Sequence, residues 1–145
     1  SEKSIKRALE ISNKVFSDSS LYATEGLLLL KELYVAIGDY PKAEQFAKKV
    51  YHIQKRLLGI SNVQTAQTGI DIAMIKLQRK NATLTDIEKL LLQNGELIKK
   101  SIGVNNPIYQ SYLGSLAHYY TQTNSLKKAD TLLAQENQYW IDLWW

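Results

Sequence analysis

Apolar residues recur along most of this chain at the three- and four-residue intervals of an amphipathic helix. Leu27, Leu30, Tyr34 and Ile37 illustrate the spacing, and strict alternation of apolar and polar residues is absent. Short segments rich in Gly, Asn, Ser and Asp interrupt the pattern at 17–20, 38–39, 59–62, 81–83, 103–106 and 123–125. The sequence therefore predicts an all-α chain of about seven helices, each of roughly 15 to 19 residues.

One turn motif returns at a regular interval. It reads GDYPKAE at 38–44, LTDIE at 84–88 and NSLKKAD at 124–130, which gives a period of roughly 42 to 44 residues. The register divides the chain into the second helix of an incomplete repeat at 1–20 and repeats at 21–60, 61–103 and 104–145. The middle repeat is about two residues longer, and the extra length fits the turn at 81–83, because loops tolerate insertions better than packed helices do.

The last repeat carries a family resemblance. It reads GVNNP at 103–107 and continues with Leu113, Leu116, Ala117, Tyr120, Asn124, Leu126, Ala129, Asp130, Leu132 and Leu133. This sequence resembles a tetratricopeptide repeat, in the long variety of kinesin light chains and of the repeats that precede bacterial caspase-like peptidase domains. The resemblance covers nearly the whole chain and implies an α-solenoid of antiparallel helix pairs.

Three positions depart from the repeat pattern. Asn124 stands where the first copy has Gly38, and Lys76 stands where the neighbouring repeats have Tyr34 and Tyr120. Lys31 occupies a position that the family usually fills with Gly or Ala. Small residues elsewhere in the pattern (Ala43, Ala73, Ala117 and Ala129) are expected to let helices approach closely, and Gly95 is expected to do the same inside a helix.

The resemblance implies that the first helix of each pair faces the concave side of the array. The expected lining is Glu25, Leu28, Glu32, Val35, Gln67, Ile70, Met74, Leu77, Ser111, His118 and Thr121. Gly114 stands in the same row as Leu28 and Ile70. Five of these residues form an apolar strip: Leu28, Val35, Ile70, Met74 and Leu77. The strip suits an apolar or helical peptide, or it is covered within the monomer. Family members that grip a peptide carboxylate use Lys, Asn and Arg on these rows; since this chain has none there, we expect no carboxylate clamp.

The last predicted helix is unusually apolar for the end of an array, where a polar outer face is normal. Its aromatic residues suggest a docking surface formed by Tyr139, Trp140, Trp144 and Trp145. Three interpretations remain open. The array continues in a longer protein, of which we expect this chain to be a piece; a neighbouring domain covers the helix; or a partner or second copy binds it.

Residues with catalytic or metal-binding potential are sparse. The chain has no cysteine, and its two histidines, His52 and His118, lie on different predicted helices without acids at ligand spacing. We therefore expect no catalytic residues, no metal and no cofactor. No apolar run is long enough to span a membrane, and a cytoplasmic location is favoured although the sequence does not determine it.

The net charge of +4 does not by itself indicate a nucleic-acid partner. The basic pairs Lys55-Arg56 and Lys99-Lys100 fall in the last turns of predicted helices, where they complement the helix dipole. The leading hypothesis is a noncatalytic scaffold that binds a peptide or partner helix on its concave face. The alternative is a regulatory or sensory segment docked on an attached effector enzyme, such as a caspase-like peptidase. Nucleic-acid binding ranks third.

Overall fold

In the computed structural model of the protein, the described residues are 19–80 and 82–145, together with Lys3, Arg7, Glu10, Ile11 and Lys14. These five single residues are helical. Most of the first predicted helix therefore lies outside the described residues, as do 17–18 in the first predicted break and Asn81 in the predicted insertion.

From residue 19 onward, the described chain is a series of helices without strands. Their bounds are α1 Tyr22–Ala36, α2 Tyr40–Leu58, α3 Val63–Arg79, α4 Leu84–Ile102, α5 Pro107–Gln122 and α6 Leu126–Trp144. The predicted all-α fold is confirmed. Each of these helices begins close to a break that the sequence indicates, and all but α6 also end close to one. The difference between six described helices and about seven predicted ones falls on the segment before residue 19.

Side-chain caps fix the start of four helices. Asp39, Asn62, Thr83 and Asn106 each accept a hydrogen bond from a backbone N–H in the first turn, at 2.8 to 3.2 Å. Such caps satisfy amide groups that have no partner within the helix. Pro41 and Pro107 also lie in first turns, as predicted.

The turn between paired helices needs a left-handed backbone conformation. Gly38 adopts a φ of 81° between α1 and α2, and Asn124 adopts a φ of 62° between α5 and α6. Asparagine tolerates this conformation better than most residues with a Cβ. Asn124 therefore replaces Gly38 in the repeat without changing the turn.

The six helices form three pairs that stack on one another. The pairs are α1 with α2, α3 with α4, and α5 with α6, while α2 packs on α3 and α4 packs on α5. The first helices α3 and α5 also contact each other directly, whereas α2, α4 and α6, all described in full, make at most marginal contact with one another. This difference places α3 and α5 on the inner side of the stack.

Small residues allow the close approaches that the sequence predicts. Ala43, Ala73, Ala117 and Ala129 are almost fully buried. Lys31 stands at the register position of Ala73 and Ala117 and is also buried, but its ammonium forms a 3.0 Å ion pair with Asp71 of α3. The departure from a small residue thus links the first two helix pairs.

Gly95 marks the tightest contact between α4 and α5. A Cβ at this position would overlap the ring of Tyr112, with the ring carbons Cζ, Cε1 and Cε2 as its nearest neighbours. Tyr112 is itself buried in the core shared by the last two helix pairs. The predicted close-packing role of Gly95 is confirmed.

Candidate partner-binding surfaces

A groove of about 630 Å³ lies on the inner side between α1 and α3. Its volume falls within the range of about 300 to 1,000 Å³ that is usual for ligand sites. Most of its lining residues are polar, and these come from α1, α2 and α3. The lining is Leu21, Tyr22, Thr24, Glu25, Leu28, Lys31, Glu32, Gln54, Gln64, Gln67, Thr68 and Asp71.

Two polar contacts hold this groove in shape. The first is the ion pair between Lys31 and Asp71. The second is a 2.6 Å hydrogen bond that the Thr68 hydroxyl donates to Oε1 of Gln54, both residues being buried. Since these contacts join α1 and α2 to α3, the groove is formed by the stacking of two helix pairs rather than by one pair alone.

A smaller hollow of about 130 Å³ extends the inner surface toward α5. Gln67 and Asp71 line both this hollow and the groove, and Ile70 and Ser111 are among the other lining residues. Together they form a surface across the first helices, which we call the inner groove. Six residues of the predicted concave face therefore line the inner groove. Ile70 is buried, and the other five are exposed or half-buried: Glu25, Leu28, Glu32, Gln67 and Ser111.

The continuous apolar strip that the sequence suggests is not present. Ile70 and Leu77 are buried in the core with α4 and α5, and Met74 is half-buried against the same cluster. Leu28 packs partly on the core of the first pair, and Val35 is exposed. The expectation that Ile70 and Leu77 are exposed is wrong, because α3 is packed by the next helix pair on the side where those residues lie.

His118 and Thr121 lie farther along α5 and do not line the inner groove. Both are exposed. The Nε2 atom of His118 lies 2.8 Å from Nε2 of Gln122, and the Thr121 hydroxyl donates to the carbonyl of Ala117 at 2.9 Å. The two residues lie on the same side of α5, and both of these contacts are with other residues of α5. Whether any of the predicted lining residues binds a partner stays a prediction.

The inner groove is acidic although the whole chain is basic. Among its described lining residues, Glu25, Glu32 and Asp71 supply three carboxylates, and Lys31 supplies the single ammonium. Lys31 is already paired with Asp71, and the described residues offer no ion-pair partner to Glu25 or Glu32. Sequence reasoning named both glutamates but missed their environment, because the pairing of Lys31 with Asp71 depends on how two repeats stack.

The last helix exposes its apolar side chains. Ala129 is the one buried residue of α6, and Trp140, Trp144 and Trp145 are 38%, 81% and 99% exposed. Tyr139 is half-buried, and its ring lies edge-on to that of Trp140 with centroids 5.0 Å apart. The apolar residues that make the terminal helix unusual in the sequence therefore form an exposed surface in the structure.

The described residues contain no group of three His, Asp or Glu side chains that could hold a metal ion. Burial raises the pKa of the Tyr112 phenol, with smaller contributions from nearby Tyr109, Tyr120 and Glu96. Burial also raises the pKa values of Tyr119 and Tyr120, which both donate hydrogen bonds to Glu88. These shifts belong to the packed interface between α4 and α5, and Tyr112 also borders the smaller hollow of the inner groove. None of the described helices is long and apolar enough to cross a membrane.

Two solved structures resemble this one. Both are described as a kinesin light chain of Podosopora anserina with nearly identical TPR-like repeats, one of them a point variant. The variant is 19% identical, with a TM-score of 0.67 over 81% of this chain and 55% of its own. The other is 18% identical, with a TM-score of 0.67 over 84% of this chain and 57% of its own.

This chain thus spans little more than half the length of either structure. No family model and no curated protein matches it. The likeness to these structures, with the stacked helix pairs described above, shows that the chain has a TPR-like repeat fold, an all-helical solenoid of stacked helix pairs.

Proposed function

We propose that this protein is a noncatalytic interaction scaffold whose inner groove binds an extended peptide segment carrying a Lys or Arg side chain. The observation that carries the proposal is the unbalanced acidity of the groove at Glu25 and Glu32. Opposite charges placed across an interface favour encounter and select the partner. The ligand expected here is therefore cationic, rather than the apolar peptide that the sequence alone suggests.

Amide side chains supply the second element of recognition. Gln64 and Gln67 are exposed on the face of α3 that lines the groove. Each carries both a donor and an acceptor, so each can pair with the backbone N–H and C=O groups of an extended peptide. Leu28 offers an apolar contact for the aliphatic part of a Lys or Arg side chain. The groove thus recognises main chain and charge together.

The test is binding of the full chain to pools of random nonapeptides that share a fixed central residue. We expect pools with a central Lys or Arg to bind, and pools with a central Glu or Leu to bind weakly. The variant Glu25→Gln with Glu32→Gln should lower affinity for the cationic pools by about 2- to 30-fold, since two exposed ion pairs contribute roughly 0.2 to 1 kcal/mol each. Added salt should weaken binding.

A matched control removes two acids from the outer helix α4. Glu96 and Asp86 are both exposed there, so Glu96→Gln with Asp86→Asn makes the same change in net charge away from the groove. We expect the control to bind the cationic pools as the unmodified chain does. Equal binding by the groove variant, or preference for acidic or apolar pools, contradicts the proposal.

The exposed face of α6 favours a second candidate function. In this candidate the array is a regulatory segment docked on a neighbouring effector domain. The acidic groove argues against nucleic-acid binding on the inner face, because phosphates would meet the carboxylates of Glu25 and Glu32. The two candidate functions use different surfaces. Loss of peptide binding in the groove variant therefore does not test docking through α6.

A further inference from the structure

The second helix of each pair uses the same register positions to receive the next pair. In α2, Ala47 is fully buried and Gln54 receives the hydroxyl of Thr68. In α4, Leu91 and Ile98 are fully buried at the positions 44 residues later. Between these positions, Gly95 of α4 receives the Tyr112 ring. We call this row the stacking face of a second helix.

An acidic residue begins each stacking face, and the last turn of the next helix supplies its partner. Oε2 of Glu44 in α2 lies 3.0 Å from Nη1 of Arg79 at the end of α3. Glu88 of α4 receives the hydroxyl of Tyr119 at 3.5 Å and that of Tyr120 at 3.3 Å, both near the end of α5. The two interfaces are antiparallel, since low numbers on one helix meet high numbers on the next.

The same register in α6 places an acid and four further side chains on a face that no described helix covers. Asp130 stands 86 residues after Glu44, and Leu133 and Trp140 stand 86 residues after Ala47 and Gln54. Leu133 is 42% exposed, against 0% for Ala47. Asp130 is exposed and has no hydrogen-bond or ion-pair partner among the described residues. Asn137 and Trp144 complete the row.

We propose that this stacking face of α6 binds one antiparallel helix with the pattern of α3, carrying a cationic donor in its last turn that pairs with Asp130. Continuity with the two interfaces already formed supports this occupant. Trp140 stands at the register position of Gln54, and the residue opposite Gln54 is the small Thr68 of α3. Because an indole is larger than a glutamine side chain, we expect a small residue opposite Trp140 as well. The partner is therefore an amphipathic helix with small residues near its start and Arg or Lys near its end.

The chain contains its own probe for this surface. A copy of residues 60–80, which comprises most of the turn before α3 and α3 itself, can be joined after Trp145, which stands 86 residues after Gly59, so that the register of α2 and α3 is kept. A covalent link raises the effective concentration of the added helix. All three tryptophans of the chain are Trp140, Trp144 and Trp145, so intrinsic fluorescence and its quenching by acrylamide report on this end of α6 alone.

We expect the extension to shift tryptophan emission to the blue and to lower acrylamide quenching at least twofold, with the protein remaining monomeric in sedimentation. Changing the added copy's arginine, the one corresponding to Arg79, to Glu should reverse much of this protection. The further change Asp130→Arg should restore it, because the charges are then exchanged. A scrambled extension of equal composition should protect little.

Three results would overturn the proposal. In the first, the α3 extension leaves emission and quenching unchanged. In the second, the scrambled extension protects as well as the ordered one, which means that apolar adhesion without register covers the face. In the third, the unextended chain forms a concentration-dependent dimer with protected tryptophans, which makes a second copy the occupant. Peptide binding in the inner groove is measured separately, and none of these results depends on it.

Discussion

The substitution Gly95→Ala is expected to destabilise the protein, although alanine is normally the better residue inside a helix. The added methyl group overlaps the buried ring of Tyr112. Overpacking of a core commonly costs about 1 to 3 kcal/mol. We expect the upper end, about 3 kcal/mol, because the overlap is with a ring that is held between two helices and not with a flexible chain end.

Replacing Gly by Ala in a helix interior returns about 1 kcal/mol, so the net loss in the free energy of unfolding should be about 2 kcal/mol. Gly114→Ala is the matched control. It makes the same change within α5, but the nearest atom to its Cβ is Oε2 of Glu136 at 3.5 Å, an ordinary contact with a flexible side chain. This control should stabilise the protein by up to about 1 kcal/mol.

Urea denaturation followed by far-UV circular dichroism measures the difference. The two variants should differ by about 3 kcal/mol, which is about 1.5 M in urea midpoint for an m-value near 2 kcal/mol/M. The single variant Tyr112→Leu should lower the free energy of unfolding. In the double variant with Gly95→Ala, it should remove most of the loss that Gly95→Ala causes. If Gly95→Ala raises the midpoint as Gly114→Ala does, the close contact between α4 and α5 does not exist.

Two further predictions concern buried polar and titratable groups. Asp71→Ala should lower the free energy of unfolding, measured by urea denaturation, by about 1 to 3 kcal/mol, because it leaves the buried ammonium of Lys31 unpaired. Lys31→Met should change it by less than about 1 kcal/mol, since Asp71 is half exposed. Equal losses would contradict this asymmetry. The raised pKa of Tyr112 stabilises the fold below the phenol's usual pKa of about 10 and loses this contribution above it, because unfolded chains then release the proton more readily. Tyr112→Phe should therefore reduce the fall in stability between about pH 10 and 11 by up to about 1.4 kcal/mol, and an unchanged slope would contradict the assignment.

The sequence predicts the helices and their stacking well because both depend on local and periodic signals. Caps such as Asn62 and Thr83 and the turn at Gly38 act within a few residues, so their effect can be read directly. Close packing at Gly95 is also predictable, since a glycine inside a helix costs stability unless something needs the space.

The lining of the candidate site is less predictable. The register alone assigns Ile70 to the inner row of Leu28 and Leu77 to that of Val35, but α3 is covered by the following helix pair and both side chains become core. The charge of the groove was missed for a related reason. Lys31 appears in the sequence as one more cation, and only the stacking of the first helix pair on the second shows that Asp71 pairs with its ammonium.

The inner groove and the stacking face of α6 are different surfaces of a stack in which the described helix pairs pack mainly on their neighbours. Stability in such an array is approximately a sum over units and the interfaces between them. The inner groove lies between the first two helix pairs and extends to α5, whereas α6 packs on α5, which contacts both α3 and α4. Because α6 packs on α5, and Ser111 of α5 lines the extension of the groove, a helix that orders α6 can act on the groove through α5, which Gly95 and Glu88 link to α4.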